Sequence, residues 1–126
     1  MAGEDRMDLL DFQDLFRATD EGNGERLSKY LHADLELNLP GVEGVDEPSD
    51  RQDYLAFLTE SNRFREQRHE RTEHLPTHIK IEGSFVAVRG FLKITLPAQP
   101  DQYHPYTDLL KLHQGQIIEY NIGYDI

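Results

Sequence analysis

The sequence contains no cysteine. That excludes a disulfide framework, a thiolate metal site and a cysteine nucleophile together. No apolar run approaches the ~18 residues of a membrane-spanning helix, and the opening MAGEDRMDLL has no signal-peptide apolar core. A soluble, cytoplasmic protein with no membrane partner is expected. Basic residues are scarce: 13 stand against 24 acidic ones, for a net charge of −11 with histidines neutral. The excess lies in residues 1–83, with 20 acids and 10 bases, whereas residues 84–126 hold 4 and 3. An acidic surface repels phosphate backbones, so nucleic acid is not an expected partner. There is no P-loop, no G-x-G-x-x-G and no G-x-S-x-G, and no cofactor is expected.

What is present fits one domain spanning residues 1–126. Leu9, Leu10, Phe12, Leu15 and Phe16 fall at helical spacing and predict an amphipathic helix that stops at Asp20-Glu21-Gly22-Asn23-Gly24. A short helix follows over Glu25–Leu31, with Leu27, Tyr30 and Leu31 inward. Leu35, Leu37 and Leu39 alternate with Glu36 and Asn38 as a half-buried strand ended by Pro40-Gly41. Residues 40–48 read as a loop. Ser49 then opens a helix, with Gln52 in capping-box spacing and Tyr54, Leu55, Phe57, Leu58 and Phe64 as its buried face. The following NRFREQRHERTE mixes arginines and glutamates as a solvated, ion-paired exit. The remainder is β: a strand holding Leu75, Ile79 and Ile81, a long strand over 85–96, a proline-rich connection over 97–105, and a hairpin formed by 106–113 and 116–126. The order ααβαββββ, helices first and strands after, indicates an α+β fold with a curved antiparallel sheet around the N-terminal helices.

Alternation along the strands sorts side chains into two faces. Ile118, Tyr120, Ile122, Tyr124 and Ile126 share one face and Glu119, Asn121 and Asp125 the other, so the first set is inside. In the long strand Val86, Val88, Leu92 and Ile94 face inward, while Arg89 and Lys93 face out. Tyr106, Leu110 and Leu112 then carry Asp108 to the inside. An aspartate on an apolar face must find donors or hold its proton, which makes Asp108 the candidate site residue. The inward tyrosines Tyr54, Tyr106, Tyr120 and Tyr124 could supply donors. A purely structural role, with Asp108 hydrogen-bonded at its strand start, is the competing reading.

The run DLLDFQDLFRATDEGNGERLSKYLHADLELNLPG, followed by AVRGFLKI, YTDLLKLH and GQIIEYNIGY, resembles the SnoaL-like superfamily. That group shares a cystatin-like, cone-shaped α+β fold with nuclear transport factor 2-like domains and ketosteroid isomerases. The carrying features are the aromatic-rich first helix, the D-x-G-[DN] turn at Asp20, Gly22 and Asn23, Tyr30-Leu31, Ala33-Asp34 and Pro40. The ketosteroid-isomerase resemblance implies three polar groups. Leu15 stands where the tyrosine would be and Leu39 where the base would be, so only Asp108 matches. A proton shuttle without its base cannot run, which argues against that isomerisation. Cyclase-type chemistry with one acid/base group is the nearer analogy. Epoxide-hydrolase-like chemistry needs an inward arginine, and Arg89 points out. Dehydratase-like chemistry needs inward histidines, and His74 and His78 take the parity opposite Leu75 and Ile79, hence outward.

The expected ligand is a small, apolar, carbonyl-bearing molecule, with Asp108 as acid/base or donor and Tyr54, Tyr106, Tyr120, Tyr124, Leu15 and Leu39 around it. Loops 42–48 and 97–105 are expected to rim the mouth. A non-catalytic dimerising or ligand-binding module, its cone filled by Leu15, Leu39 and Phe57, is the alternative. Six histidines invite a metal, but RHERTEH lacks a second histidine four residues after His69, so no metal site is expected. Phe85, Ala87, Phe91, Leu109 and Ile117 leave the outer face partly apolar, and such a patch marks an interface. A homodimer through that face is expected.

Overall fold

The computed structural model describes residues 7–38 and 49–124. The elements follow the order ααβαββββ: α1 Leu9–Glu21, α2 Gly24–Ser28, β1 Leu31–Asn38, α3 Arg51–Gln67, β2 Arg71–Glu82, β3 Phe85–Thr95, β4 Gln102–His113 and β5 Gln116–Tyr124. The five strands form one curved, unclosed sheet in the order β1-β5-β4-β3-β2. All neighbours are antiparallel except β1 and β5, which run parallel. α1 packs on β2 and α3 on β1, so the helices cover the inner face.

At the end of α1 and the turn after it, Asp20, Gly22 and Asn23 have separate tasks. Gly22 ends α1 in a left-handed conformation (φ 66°), and a Cβ there would lie 2.4 Å from Asn62 Cγ, so glycine is required twice over. Asn23 caps α2 by accepting from the Arg26 amide at 3.1 Å. Asp20, in the last turn of α1, points toward the sheet. Asp14 then ties α1 to α2 by accepting from Arg26 and Tyr30.

Several expectations are corrected. Leu9 and Leu10 are exposed, because the buried stripe of α1 is Phe12, Leu15, Phe16 and Ala18. Leu31 opens β1 rather than closing α2. Asp50, not Ser49, caps α3 by accepting from the Asp53 amide. Ser49 instead bridges Leu37 through paired backbone hydrogen bonds. α3 buries Tyr54 and Leu58 but leaves Phe57 and Phe64 exposed. Arg71–Glu73 belongs to β2, and Gln102–Pro105 to β4. Leu39, residues 40–48 and Ile126 lie outside the described residues, and of Tyr124 only the strand position, opposite Tyr106, is described.

The largest departure is in β2. Pro76 pairs with Gly90, but His78 pairs with Arg89, so Thr77 is an extra residue forming a β-bulge. A one-residue slip moves every following side chain to the other face. Ile79 and Ile81 therefore sit across from inward Val88 and Val86, whereas before the bulge it is His74, across from Leu92, that faces inward. Leu75 and His78 take the outer parity. A second irregularity lies between Lys111 and Leu112, where Leu112 pairs with Ile117 and Lys111 with Glu119. It buries Ile117 completely and leaves Ile118 half-buried, the reverse of simple alternation.

Candidate functional site

Between α1, α3 and the inner face of the sheet lies a pocket of about 270 Å³. Leu92, Leu58, Phe57 and Ile122 give it apolar walls, and Asp108, Tyr120, Tyr54, His74, Asp20, Thr72, Thr19, Ser61 and Arg65 supply polar ones. The expected inward aspartate is there. Asp108 is 1% exposed, the one buried charged side chain of the described residues. Tyr120 Oη donates to its Oδ2 at 3.3 Å, and Oδ1 is buried with no hydrogen-bond partner among the described residues. Burial raises its pKa from the ordinary 3.8 to about 7, while nearby His74 and the Tyr120 hydrogen bond pull the other way.

His74 is the residue that alternation misplaced. Its side chain is 10% exposed and its Nδ1 lies 2.7 Å from Asp20 Oδ1. Asp20 also accepts from the His74 amide at 2.8 Å and from Thr72 Oγ1 at 3.1 Å. Nδ1 is thereby placed to donate to the carboxylate, and Nε2 is the ring's other polar atom. The ring is fixed from both sides: it stacks on Phe16 (5.1 Å, 16°) and meets Tyr106 edge-on (5.3 Å, 75°). Asp20 thus holds the histidine ring in one orientation.

Of the expected site residues, Asp108, Tyr54 and Tyr120 line the pocket, the two tyrosines edge-on at 6.2 Å. Tyr106 is buried behind His74, and Leu15 is fully buried; neither is on the pocket wall. Leu39 lies outside the described residues, as does the 42–48 loop. No residue of 97–105 lines the pocket, since β4 already begins at Gln102; its polar edge is made by Ser61, Arg65 and Thr72. Arg89 is exposed, as expected. Sequence patterning misses four pocket residues: alternation turns His74 outward, Thr72 and Arg65 fall in the stretch that reads as a solvated exit, and Asp20 reads only as part of a turn. Pro76-Thr77 facing Gly90 was the available signal, because proline and glycine inside strands concentrate at bulges. Among the described residues no three histidine, aspartate or glutamate side chains come together to hold a metal ion. None of the described helices is long and apolar enough to cross a membrane.

A curved five-stranded sheet covered by N-terminal helices, with a pocket between them, is the cone fold of the nuclear transport factor 2-like and ketosteroid isomerase-like proteins, and this chain has that fold. Among solved structures it is similar to IdmH from Streptomyces antibioticus, described as a candidate polyketide cyclase. The two share 20% identity over 90% of this chain and 88% of that one, with a TM-score of 0.75. It is also similar to an epoxide hydrolase from M. tuberculosis of the LEH-like type (12% identity, 90% and 79% covered, TM-score 0.70). A third is a protein with a ketosteroid isomerase-like fold from Catenulispora acidiphila (14%, 91% and 85%, 0.69). No family model and no curated protein matches the sequence.

Proposed function

We propose that this chain binds a small, apolar, carbonyl-bearing molecule in the pocket and moves a proton on it, in the manner of an isomerase, cyclase or hydro-lyase. The supporting observation is Asp108: a buried carboxyl with one oxygen unpartnered and a pKa of about 7 is equally able to donate a proton to a carbonyl and to take one from carbon. Tyr120 and Tyr54 orient the ligand, and His74, set by Asp20, is the second proton-carrying group. Two groups with different surroundings are what a proton shuttle requires, and His74 supplies one of the inward histidines that dehydratase-like chemistry needs, while His78 stays on the outer face. Ketosteroid isomerisation remains disfavoured by the leucines at positions 15 and 39. With a substrate found by thermal-shift screening of aromatic and terpenoid carbonyl compounds, Asp108→Asn should lower kcat by roughly 10²–10⁴-fold. Unchanged turnover in that variant would remove Asp108 from the mechanism.

A second reading has its own support. The pocket, at about 270 Å³, falls just below the roughly 300–1,000 Å³ that ligand sites span, and a cone largely filled by its own side chains, serving as a binding or dimerising module, fits that size. Either way the outer sheet face needs a cover. Phe85 (60% exposed), Leu109 (53%), Phe91 and Tyr103 stand on it. We propose a homodimer through that face, without Ile117, which is buried inside. Sedimentation at micromolar concentration should show a species of about twice the 14.6 kDa chain mass; a monomer alone would exclude the dimer.

A further inference from the structure

We infer that the ligand is an acid, its carboxylate held at the pocket edge by Arg65 while its carbonyl-bearing apolar part reaches Asp108. The inference rests on the pocket being a ligand site, as proposed above. Beside the pocket runs a second, wider groove of about 1,090 Å³ along the ends of α1 and α3 and the start of β2. The two share Asp20, Arg65, Thr72 and His74. The Asp20–His74 pair is therefore the partition between an inner, largely apolar compartment and an outer, charged one, and Arg65 borders both.

The charges along that groove are unequally engaged. On the acidic side, Asp20 is taken by His74 and Thr72, Glu21 faces Arg26 at 3.6 Å, Glu70 faces Arg68 at 3.8 Å and Glu66 accepts from Asn62, while Glu73 makes no ion pair among the described residues. On the basic side, Lys93 faces Asp101 at 3.7 Å, but Arg17, Arg65 and Arg71 make no ion pair among the described residues. In a chain with a net charge of −11, three arginines along one groove are left without a carboxylate within ion-pair distance, although Glu66 and Glu73 also line it. Arg65 differs from the other two: it is half-buried, it sits in the last turn of α3, and it alone also lines the inner pocket. The helix C-terminus tolerates its charge without a partner, which leaves the guanidinium fork free for a planar anion.

A carboxylate suits the position better than a phosphate. Glu66 and Glu73 also border the groove, and a dianion beside them and Asp20 would meet repulsion that one arginine does not offset. Nor does long-range attraction help, because the whole chain is acidic; the preference must come from local bidentate contact. Arg65 and Asp108 line the same small pocket, so one short keto acid can reach both.

The test compares 4-oxo-4-phenylbutanoate with its methyl ester, the same ketone with and without the charge, by calorimetric titration of the full chain. The wild type should bind the acid at least about tenfold more tightly. Arg65→Gln should equalise the two, and Arg65→Lys should keep part of the preference. All three proteins should melt alike, since the side chain makes no ion pair whose loss would destabilise them. Equal binding of acid and ester by the wild type, or a preference that survives Arg65→Gln, overturns the inference while leaving the pocket as a ligand site. Binding of neither compound overturns both.

Discussion

Replacing Gly90 with alanine should destabilise the protein by several kcal/mol, roughly 3 or more, and should disturb the candidate site at the same time. A Cβ on Gly90 would lie 2.3 Å from the Leu75 carbonyl oxygen and 2.7 Å from Pro76 Cα. Both are backbone atoms on the neighbouring strand, so no rotamer change relieves the clash. Relief requires β2 to move away from β3 at the bulge, two residues from His74. Gly83 is the internal comparison. It has a positive φ of 62° but nothing within 4 Å of an added Cβ, so alanine there should cost only about 1 kcal/mol. Urea unfolding of the two variants should separate them clearly. A Gly90→Ala loss no larger than that of Gly83→Ala would mean that the strands are not in close contact there, and the bulge that turns His74 inward would fall with it.

Asp108→Asn should stabilise the protein, and the gain should depend on pH. Below about pH 4 the carboxyl is protonated in folded and unfolded chains alike, and the substitution changes little. Between pH 4 and 7 the unfolded chain releases this proton while the folded chain, with its pKa raised to about 7, keeps it. The folded state then binds more protons, so this group lowers stability as pH rises, and the penalty levels off above the folded pKa. A displacement from 3.8 to about 7 corresponds to a penalty on the order of 4 kcal/mol at pH 8. Removing the charge should recover roughly 2–4 kcal/mol of it there. Denaturant titrations of both proteins at pH 4.5 and pH 8 measure the difference. A variant that is less stable than wild type at pH 8 would identify Asp108 as a structural anchor rather than a group held at a cost for function.

The element order and the inward position of Asp108 were legible because they depend on local signals. Helical spacing in Leu9–Ala18, the alternation of Leu35 and Leu37, and the buried set Tyr106, Leu110 and Leu112 that shares a face with Asp108 in β4 each survive in the folded chain. Failures came where a single residue changed the phase. Thr77 turned His74 from the outer face to the inner, and the irregularity beside Leu112 exchanged Ile117 for Ile118. Alternation has a period of two and no memory of an inserted residue, so one bulge reverses every assignment on one side of it. The exposed Phe57 and Phe64 are a different case. Their helical spacing is correct, but α3 meets the core along Tyr54 and Leu58 with Leu55 partly buried beside them, and Phe57 and Phe64 stand outside that stripe. Half of the candidate site, Asp108 with Tyr54 and Tyr120, was thus readable. The other half, Asp20 with His74, joins residues 54 positions apart, and their pairing is set by the tertiary fold.

That last tie bears on how the chain folds. The Asp20–His74 bonds close a loop that already contains α2, β1 and α3, and β1 gains its sheet partner only when β5 arrives, with Leu31 beside Ile117. Contacts of such long sequence separation form late, after the chain entropy of several shorter closures has been spent, and they place the protein among slower-folding topologies. The histidine can be locked by its carboxylate only after α1 has docked on β2, so the site is expected to assemble with the tertiary fold rather than with local helical structure. A stopped-flow signal from a ligand specific to the pocket would therefore follow completion of the fold, lagging behind the appearance of helical structure.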